Sequence, residues 1–149
     1  MGQLVPLLDG VNLVPLKIIK DDRGMVMHMI RSDQPNFKKF GEIYFSVTNP
    51  GVTKGWKRHR IMEQNFAVPQ GEMEFTLFDD RPASATQGKY QRVQLGLNNY
   101  QLLQVPPMIW YCFSTKGSES AMIANCATIP HDPSESETAP LEKFLVNPT

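Results

Sequence analysis

The sequence predicts an all-β protein of about ten short antiparallel strands, arranged as a barrel or a sandwich. Twelve prolines and ten glycines divide the 149 residues into short pieces, and no long stretch has the periodicity of an amphipathic helix. The run 72–79 alternates apolar with polar residues, which is typical of a strand with one buried face. Because strand-length runs do not alternate with helix-length ones, a parallel sheet of βαβ units is not expected.

The predicted strands are apolar runs separated by turn residues. The runs 14–19 and 25–30 flank the polar turn 21–24, and we expect them to form a hairpin. A second turn follows at 49–51, because proline fixes φ there and glycine tolerates a positive φ. Loops are expected to hold only short helical turns, such as one within 32–37. The remaining predicted strands are 42–47, 53–59, 64–68, 72–79, 90–95, 100–105, 109–114 and 121–128.

Composition limits the size of the fold and its partners. With 41% hydrophobic residues, the chain suits a single domain, 1–149, in which about 136–149 form a loose or exchanged tail. Fifteen basic and fifteen acidic residues cancel, so neither nucleic acid nor an anionic membrane is an expected partner. Without an export leader or a run of about 18 apolar residues, we expect a cytoplasmic protein. Cys112 and Cys126 are expected to be free thiols.

The most informative motif begins at Gly51 and ends at Gly71. Lys57 and His59 lie two residues apart within it, so on a strand both side chains face the same way. With Gln64, the spacing G-x5-[H]-x-H-x4-[E/Q]-x6-G resembles the first signature of the cupin barrels, where two histidines and a glutamate hold a divalent metal. A lysine and a glutamine are poor metal ligands. We therefore expect no metal, and a metal-dependent cupin is disfavoured because only His59 remains.

A wider resemblance rests on six blocks, which are Asp22-Arg23-Gly24, Gly51-Val52-x-Lys54-Gly55-Trp56, Gln70-Gly71-Glu72, Asp80-Arg81-x-x-Ser84-x-Thr86-x-Gly88, Gln104-Val105-Pro106-Pro107 and Asp132-Pro133-x-Glu135. In this order they resemble the dTDP-4-dehydrorhamnose 3,5-epimerase family, cupins that act on nucleotide-linked 4-keto sugars. The resemblance implies a jelly-roll cupin barrel that needs no cofactor. It also implies a homodimer with exchanged N-terminal strands, acting on a nucleotide sugar of surface-polysaccharide or deoxysugar biosynthesis.

The reaction of that family defines the groups to look for. Epimerisation removes a proton from a carbon next to the ketone and returns one on the opposite face. It needs a base, an acid, and a cation or hydrogen-bond donor for the enolate oxygen. By the resemblance, Lys57 stands at the position of the base and Asn125 near that of the acid, a tyrosine. Lys54 replaces an arginine, Gln64 an enolate-supporting lysine, and Tyr111 a histidine.

The base and the acid are therefore open choices in this chain. Lys57 is a candidate base because neighbouring cations favour a neutral amine. His59, which faces the same way, can share or replace that role. Tyr44, Tyr100 or Tyr111 can supply the acid.

The nucleotide end of the site follows from the resemblance. Arg23 is retained and is expected to contact the phosphates, while His28 replaces an acidic nucleotide contact. The predicted catalytic residues are Lys57, His59 and Tyr111, and the predicted substrate contacts are Arg23, His28, Tyr44, Lys54, Gln64 and Asn125.

Three interpretations fit these substitutions. The chain is an epimerase that uses Lys57 or His59, or it catalyses a related step such as single-site epimerisation or ketoisomerisation, or it binds a nucleotide sugar without turnover. His131 and Asp132 look like a catalytic pair, but neighbours on a strand face opposite ways. We assign no catalytic role to them or to Glu135, which lies in the same proline-punctuated segment. An epimerase is the leading interpretation.

Overall fold

The all-β prediction is confirmed. A computed structural model describes residues 2–144, which contain twelve strands and two 3₁₀ helices, Pro133–Glu135 and Leu141–Lys143. Within these residues, no helix has the length and apolar character needed to cross a bilayer. The strands are β1 (Asn12–Pro15), β2 (Ile18–Asp21), β3 (Gly24–Met27), β4 (Glu42–Thr48), β5 (Thr53–His59), β6 (Gln64–Gln70), β7 (Glu72–Asp79), β8 (Tyr90–Gly96), β9 (Gln101–Val105), β10 (Ile109–Thr115), β11 (Ala121–Ala127) and β12 (Ser136–Thr138).

Ten of these strands form two antiparallel sheets that pack face to face. The strand order is β1-β9-β6-β11-β4 in sheet I and β12-β5-β10-β7-β8 in sheet II. Strands β2 and β3 pair with each other as a separate hairpin. Two antiparallel sheets stacked in this way form a jelly roll, so the predicted cupin barrel is confirmed.

Apolar side chains from both sheets meet between them. On β7, Met73, Phe75 and Leu77 are fully buried, as the alternating pattern predicts. Phe66 of sheet I packs against Phe75 of sheet II with ring centroids 5.3 Å apart, and against Tyr111 at 5.4 Å. Burying a large apolar side chain contributes roughly 1.5–3 kcal/mol. These contacts therefore hold the two sheets, and the cavity between them, in a fixed relation.

The N-terminal segment differs from the prediction. The single strand expected over 14–19 is divided: β1 ends at Pro15 and pairs with β9, whereas β2 begins at Ile18 and pairs with β3. Proline has no N–H to give to a ladder, so the chain leaves sheet I soon after Pro15. The predicted hairpin is present, but its second strand ends at Met27.

The loop between β7 and β8 is built around the buried carboxylate of Asp79. Arg81 Nε and Nη2 donate to it at 2.9 Å, Ser84 Oγ at 2.6 Å and Thr86 Oγ1 at 2.7 Å. Burial opposes the charge, but these hydrogen bonds outweigh it and hold the pKa of Asp79 well below its usual range. The backbone N–H of Asp9 donates to Thr86 Oγ1 at 2.9 Å, so the loop also anchors the N-terminal segment.

Residues 136–144, here called the C-terminal strap, lie along β5 of the same chain. Strand β12 pairs with β5 of the same chain, in the register Ser136 to His59 and Thr138 to Lys57. Trp56 Nε1 donates to the carbonyl of Leu141 at 3.0 Å, and the Phe144 ring packs edge-on against Trp56 with centroids 5.3 Å apart. The rest of the predicted tail, 145–149, lies outside the described residues. The strap thus covers the outer face of β5, behind the motif 51–71.

Candidate active site

A cavity of about 520 Å³ lies between the two sheets. Both sheets contribute side chains to it, so a bound ring would have protein on each of its faces. The cavity is lined by Glu42, Tyr44, Ser46, Phe66 and Ile123 of sheet I, Lys54, Gly55, Lys57, His59, Tyr111 and Phe113 of sheet II, and Met62 and His131 of the connecting segments.

A close approach between β5 and β10 orients the motif residues. Gly55 has φ +126°, and a Cβ on it would lie 2.5 Å from Cys112 Cβ, so only glycine fits there. The ladder pairs Gly55 with Cys112 and Lys57 with Tyr111, which leaves one extra residue on β5 between the two pairs. Trp56 therefore packs on the outer face, while Lys57 and His59 both line the cavity.

His59 is the centre of a buried hydrogen-bonded chain. Its Nδ1 contacts Glu135 Oε1, and its Nε2 lies 3.0 Å from the Tyr111 hydroxyl. His59 and Glu135 are each only 5% exposed. The second carboxylate oxygen of Glu135 accepts the backbone N–H groups of Ile61 at 3.1 Å and Met62 at 3.3 Å. Because Glu135 accepts at Nδ1, the neutral imidazole carries its proton there, and Nε2 is the basic nitrogen.

The ionisation states suit proton abstraction. Burial lowers the pKa of His59, and this outweighs the opposing hydrogen bond from Glu135. Burial opposes the charge of Glu135, but the bonds from His59, Ile61 and Met62 leave its pKa below the usual value. Burial, and then proximity to Tyr44 and Glu135, raises the pKa of the Tyr111 phenol. Near neutral pH the hydrogen-bonded chain therefore consists of the Glu135 carboxylate, the neutral His59 imidazole and the protonated Tyr111 phenol.

A buried amide network lies behind Tyr44, outside the set of residues that line the cavity. Asn125 is fully buried, and its Nδ2 donates to the Tyr44 hydroxyl at 2.9 Å and to Gln64 Oε1. Its Oδ1 accepts the backbone N–H of Asn65 at 3.0 Å. Gln64 Nε2 is buried, and no acceptor for it exists among residues 2–144. A buried amide N–H without an acceptor is costly to the folded protein.

Two lysines bring positive charge to the cavity. Lys54 Nζ donates to the Val47 carbonyl at 2.7 Å and to Ser46 Oγ at 3.3 Å. Lys57 is half-buried, and its ammonium has no hydrogen bond or ion pair with any other part of the chain that the structure describes. Ammonium groups at these positions are suited to phosphate oxygens or to an enolate.

Four of the predicted residues do not line the cavity: Gln64 and Asn125 belong to the buried amide network behind Tyr44, and Arg23 and His28 lie elsewhere. Arg23 lies at the tip of the β2–β3 hairpin, where its side chain is 86% exposed and pairs with Asp21 at 2.6 Å. His28 lines a separate cavity of about 210 Å³, beside Lys17 and Arg31. Within one chain, neither residue lines the cavity that holds His59.

Sequence reasoning missed Glu135, which lies 76 residues from His59. The signal that could have found it is the block Asp132-Pro133-x-Glu135. Asp132 accepts the backbone N–H of Ser134 at 3.0 Å and caps the short 3₁₀ helix, which presents Glu135 to the cavity wall. Asp132 is thus bound to Ser134, not paired with His131. Among residues 2–144, no cluster of three or more His, Cys, Asp or Glu side chains could hold a metal ion.

A jelly roll with a histidine–carboxylate pair inside it belongs to the class of cupin barrels that move protons. The sequence model of the dTDP-4-dehydrorhamnose 3,5-epimerase family matches residues 7–142, so the chain belongs to this family. The resemblance found in the sequence is confirmed, and with it the predicted class of enzyme, a sugar-nucleotide epimerase.

Known proteins agree with this placement. The chain is 31% identical over 130 residues to a probable low-salt glycan biosynthesis epimerase, Agl13, of Haloferax volcanii, covering 86% of this chain and 83% of that one. It is 46% identical to a dTDP sugar isomerase of Desulfovibrio desulfuricans G20 of known structure, with a TM-score of 0.89 and coverage of 91% and 87%. A dTDP-4-dehydrorhamnose 3,5-epimerase of Sulfolobus tokodaii, 21% identical, shares the fold with a TM-score of 0.83 and coverage of 95% and 84%.

Proposed function

We propose that this chain epimerises a nucleoside-diphosphate 4-keto sugar and that His59 is its base. The observation that carries the proposal is the buried contact of His59 with Glu135 at the wall of the cavity. The carboxylate fixes the imidazole so that Nε2 can accept the proton next to the ketone. In this proposal the Tyr111 hydroxyl exchanges its hydrogen bond to His59 Nε2, at 3.0 Å, for one to a sugar oxygen.

Lys57 supports the enolate in this proposal and does not abstract the proton. Its ammonium lies on the same wall as His59 and has no acceptor within residues 2–144. Negative charge develops on the ketone oxygen as the proton leaves, and a cation already in position stabilises it.

The phosphates are assigned to Lys54 and to a second copy of the chain. Strand β4 is an edge strand of sheet I, and an exposed apolar edge favours pairing with another strand. We propose a homodimer in which the β2–β3 hairpin of each subunit covers β4 of the other. This arrangement would carry Arg23 and His28 of the partner subunit toward the cavity. The exposed apolar residues are Ile43, Phe45 and Val47 on β4, and Ile19, Met25 and Val26 on the hairpin.

The proposed setting is the cytoplasm, in surface-polysaccharide or deoxysugar biosynthesis. Cys112 and Cys126 are buried free thiols, as predicted, which suits a reducing compartment. The relative Agl13 is named for glycan biosynthesis, which supports the pathway class.

Solvent deuterium exchange tests the proposed function. The enzyme is incubated in D₂O with a panel of nucleoside-diphosphate 4-keto sugars, beginning with dTDP-4-keto-6-deoxy-D-glucose, and the sugars are analysed by NMR and mass spectrometry. Deuterium at one or both carbons next to the ketone, with inverted configuration, is the expected result. A protein that binds these sugars and exchanges no proton would contradict it.

A further inference from the structure

The cavity presents a phenol opposite the base. His59 lies on β5 of sheet II and Tyr44 on β4 of sheet I, and both side chains line the space between the sheets. A sugar ring held between the sheets therefore has His59 toward one face and Tyr44 toward the other.

The hydrogen bonds of Tyr44 leave its proton free. Asn125 Nδ2 donates to the Tyr44 hydroxyl at 2.9 Å, so the phenol oxygen is the acceptor in this bond. Within residues 2–144, nothing accepts the O–H of Tyr44 in return. Asn125 is fully buried and held by the backbone N–H of Asn65 at 3.0 Å. The phenol oxygen is thus fixed in place by a rigid donor while its hydrogen is available to a ligand.

We infer that Tyr44 is the acid of the epimerisation and that Asn125 is its positioning residue. The inference rests on the proposed function and adds the group that protonates the opposite face of the sugar carbon. As the C–H bond next to the ketone breaks, its proton goes to His59 Nε2 and its electron pair forms the enolate. That pair then forms a new C–H bond with the proton of the Tyr44 hydroxyl on the opposite face. The sugar loses one proton and gains one, and no oxidant or reductant is needed.

The two protein groups then return to their starting states through water. After the step His59 is an imidazolium and Tyr44 a phenolate. The bond donated by Asn125 to the phenol oxygen strengthens when that oxygen becomes an anion. Tyr44 is 37% exposed, so water reaches it to restore the proton, and His59 releases its own proton into the cavity.

Tyr111 is not placed to protonate the carbon from the face opposite the base. It lies on β10, beside β5 in sheet II, and its hydroxyl is 3.0 Å from His59 Nε2. A proton delivered from Tyr111 would therefore reach the carbon from the side of the base and would not invert it.

The variant Tyr44→Phe separates proton removal from inversion. With dTDP-4-keto-6-deoxy-D-glucose in D₂O, the C–H next to the ketone should still exchange within a few-fold of the wild-type rate, because His59 returns the deuteron to the face it came from. Formation of the inverted sugar should fall by about 100-fold or more, the usual contribution of a positioned acid. NMR follows both in one sample, and circular dichroism confirms that the variant is folded.

A matched control is Tyr100→Phe. Tyr100 is buried in an outer cluster with Ala67 and Leu102 and does not line the cavity, so this variant should invert the sugar as the wild type does. Inversion by Tyr44→Phe at the wild-type rate would overturn the assignment, as would a parallel loss of exchange and inversion. Failure of the wild-type enzyme to exchange any sugar of the panel would refute the proposed function itself.

Discussion

At the scale of single residues, the site depends on a neutral, oriented histidine. Glu135 accepts the N–H at Nδ1 of His59, so Nε2 is left as the ring nitrogen that can accept a proton. Burial lowers the pKa of His59, the proposed base, which favours its neutral imidazole at neutral pH. The acid limb of kcat/KM should therefore lie below the ordinary histidine pKa of about 6.5.

Glu135→Gln tests the pairing. The carboxylate favours the imidazolium, so its removal should shift the acid limb of the kcat/KM profile to still lower pH. Because the imidazole also loses its orientation, kcat at the plateau should fall by roughly 10- to 100-fold. Glu119→Gln, on an exposed loop, is the control and should change neither quantity. An unshifted acid limb in Glu135→Gln would show that the carboxylate does not act on the base.

The sequence predicted part of this site. The spacing of Lys57 and His59 predicts that they share a face, and both line the cavity. The spacing does not show which of the two is the better candidate for the base, because that depends on Glu135, which lies 76 residues from His59 in the sequence and contacts it only in the fold. Tyr44 and Asn125 were expected as substrate contacts, but their mutual hydrogen bond depends on the register of β4 with β11.

At the scale of elements, the C-terminal strap supports the proposed catalytic pair, His59 and Glu135. Glu135 directly precedes β12, and β12 is fastened to β5, the strand that carries His59. Arg58, on the outer face of β5, donates from Nε to Glu137 and from Nη1 to Asp80 at 3.0 Å. The strap thus ties Glu135 to β5, the strand that carries His59.

Phe144→Ala should loosen the strap. The Phe144 ring packs against Trp56 at 5.3 Å, Trp110 at 5.2 Å and Phe78 at 4.7 Å between centroids. Its loss should lower the free energy of unfolding by roughly 1–3 kcal/mol, because the ring is only partly buried. Displacement of Glu135 should lower kcat more than it raises KM. Urea unfolding and steady-state kinetics measure the two effects.

Leu141→Ala is the control for the strap. Its carbonyl, not its exposed side chain, accepts from Trp56, so stability and kcat should change little. If Phe144→Ala were destabilised but fully active, the strap would have no role in holding Glu135.

Asp79→Asn tests the loop between β7 and β8. The folded protein holds the pKa of Asp79 below its ordinary value of about 3.9. This stabilisation is therefore complete above that value and is lost as the pH falls through the lower pKa of the folded state. At pH 7 the variant should lose roughly 3–5 kcal/mol, and the deficit should shrink toward pH 2. A deficit that does not change with pH would contradict this assignment.

Most elements could be predicted from local patterns, and the exceptions have a physical reason. The bounds of β5 and β7 agree with the predicted strands, because glycines and alternating side chains mark them. The first predicted strand was wrong because its apolar run continues past Pro15, where the ladder ends. The place where the strap packs could not be predicted from its own sequence, because its docking depends on the outer face of Trp56.

At the scale of the whole molecule, the proposed dimer makes each site a product of two subunits. Arg23 lies away from the cavity of its own chain, on a hairpin with exposed apolar side chains. Family membership and barrel architecture could be predicted, because six blocks run in order along the chain. The position of Arg23 could not, because the hairpin that carries it leaves sheet I and holds the side chain away from the cavity of its own chain.

Mixing two impaired variants, assayed at a substrate concentration too low to saturate Arg23→Ala, tests this sharing. Arg23→Ala should weaken sugar-nucleotide binding, and His59→Asn should remove the base. If Arg23 serves the cavity of the partner, heterodimers of the two variants contain one site with both groups intact. Activity should then return to up to about half of the wild-type value per heterodimer. Subunit exchange followed by kinetics measures it, and mixtures that stay inactive despite exchange would assign Arg23 to its own chain or to no site.

The most direct test of the central claim compares His59→Asn with Lys57→Gln in the D₂O exchange experiment. With His59 as the base, His59→Asn should reduce deuterium incorporation next to the ketone by about 100-fold or more. Lys57→Gln should exchange more slowly than the wild type but measurably, because it loses only charge stabilisation of the enolate. Wild-type exchange in His59→Asn, with none in Lys57→Gln, would contradict the claim and make Lys57 the base.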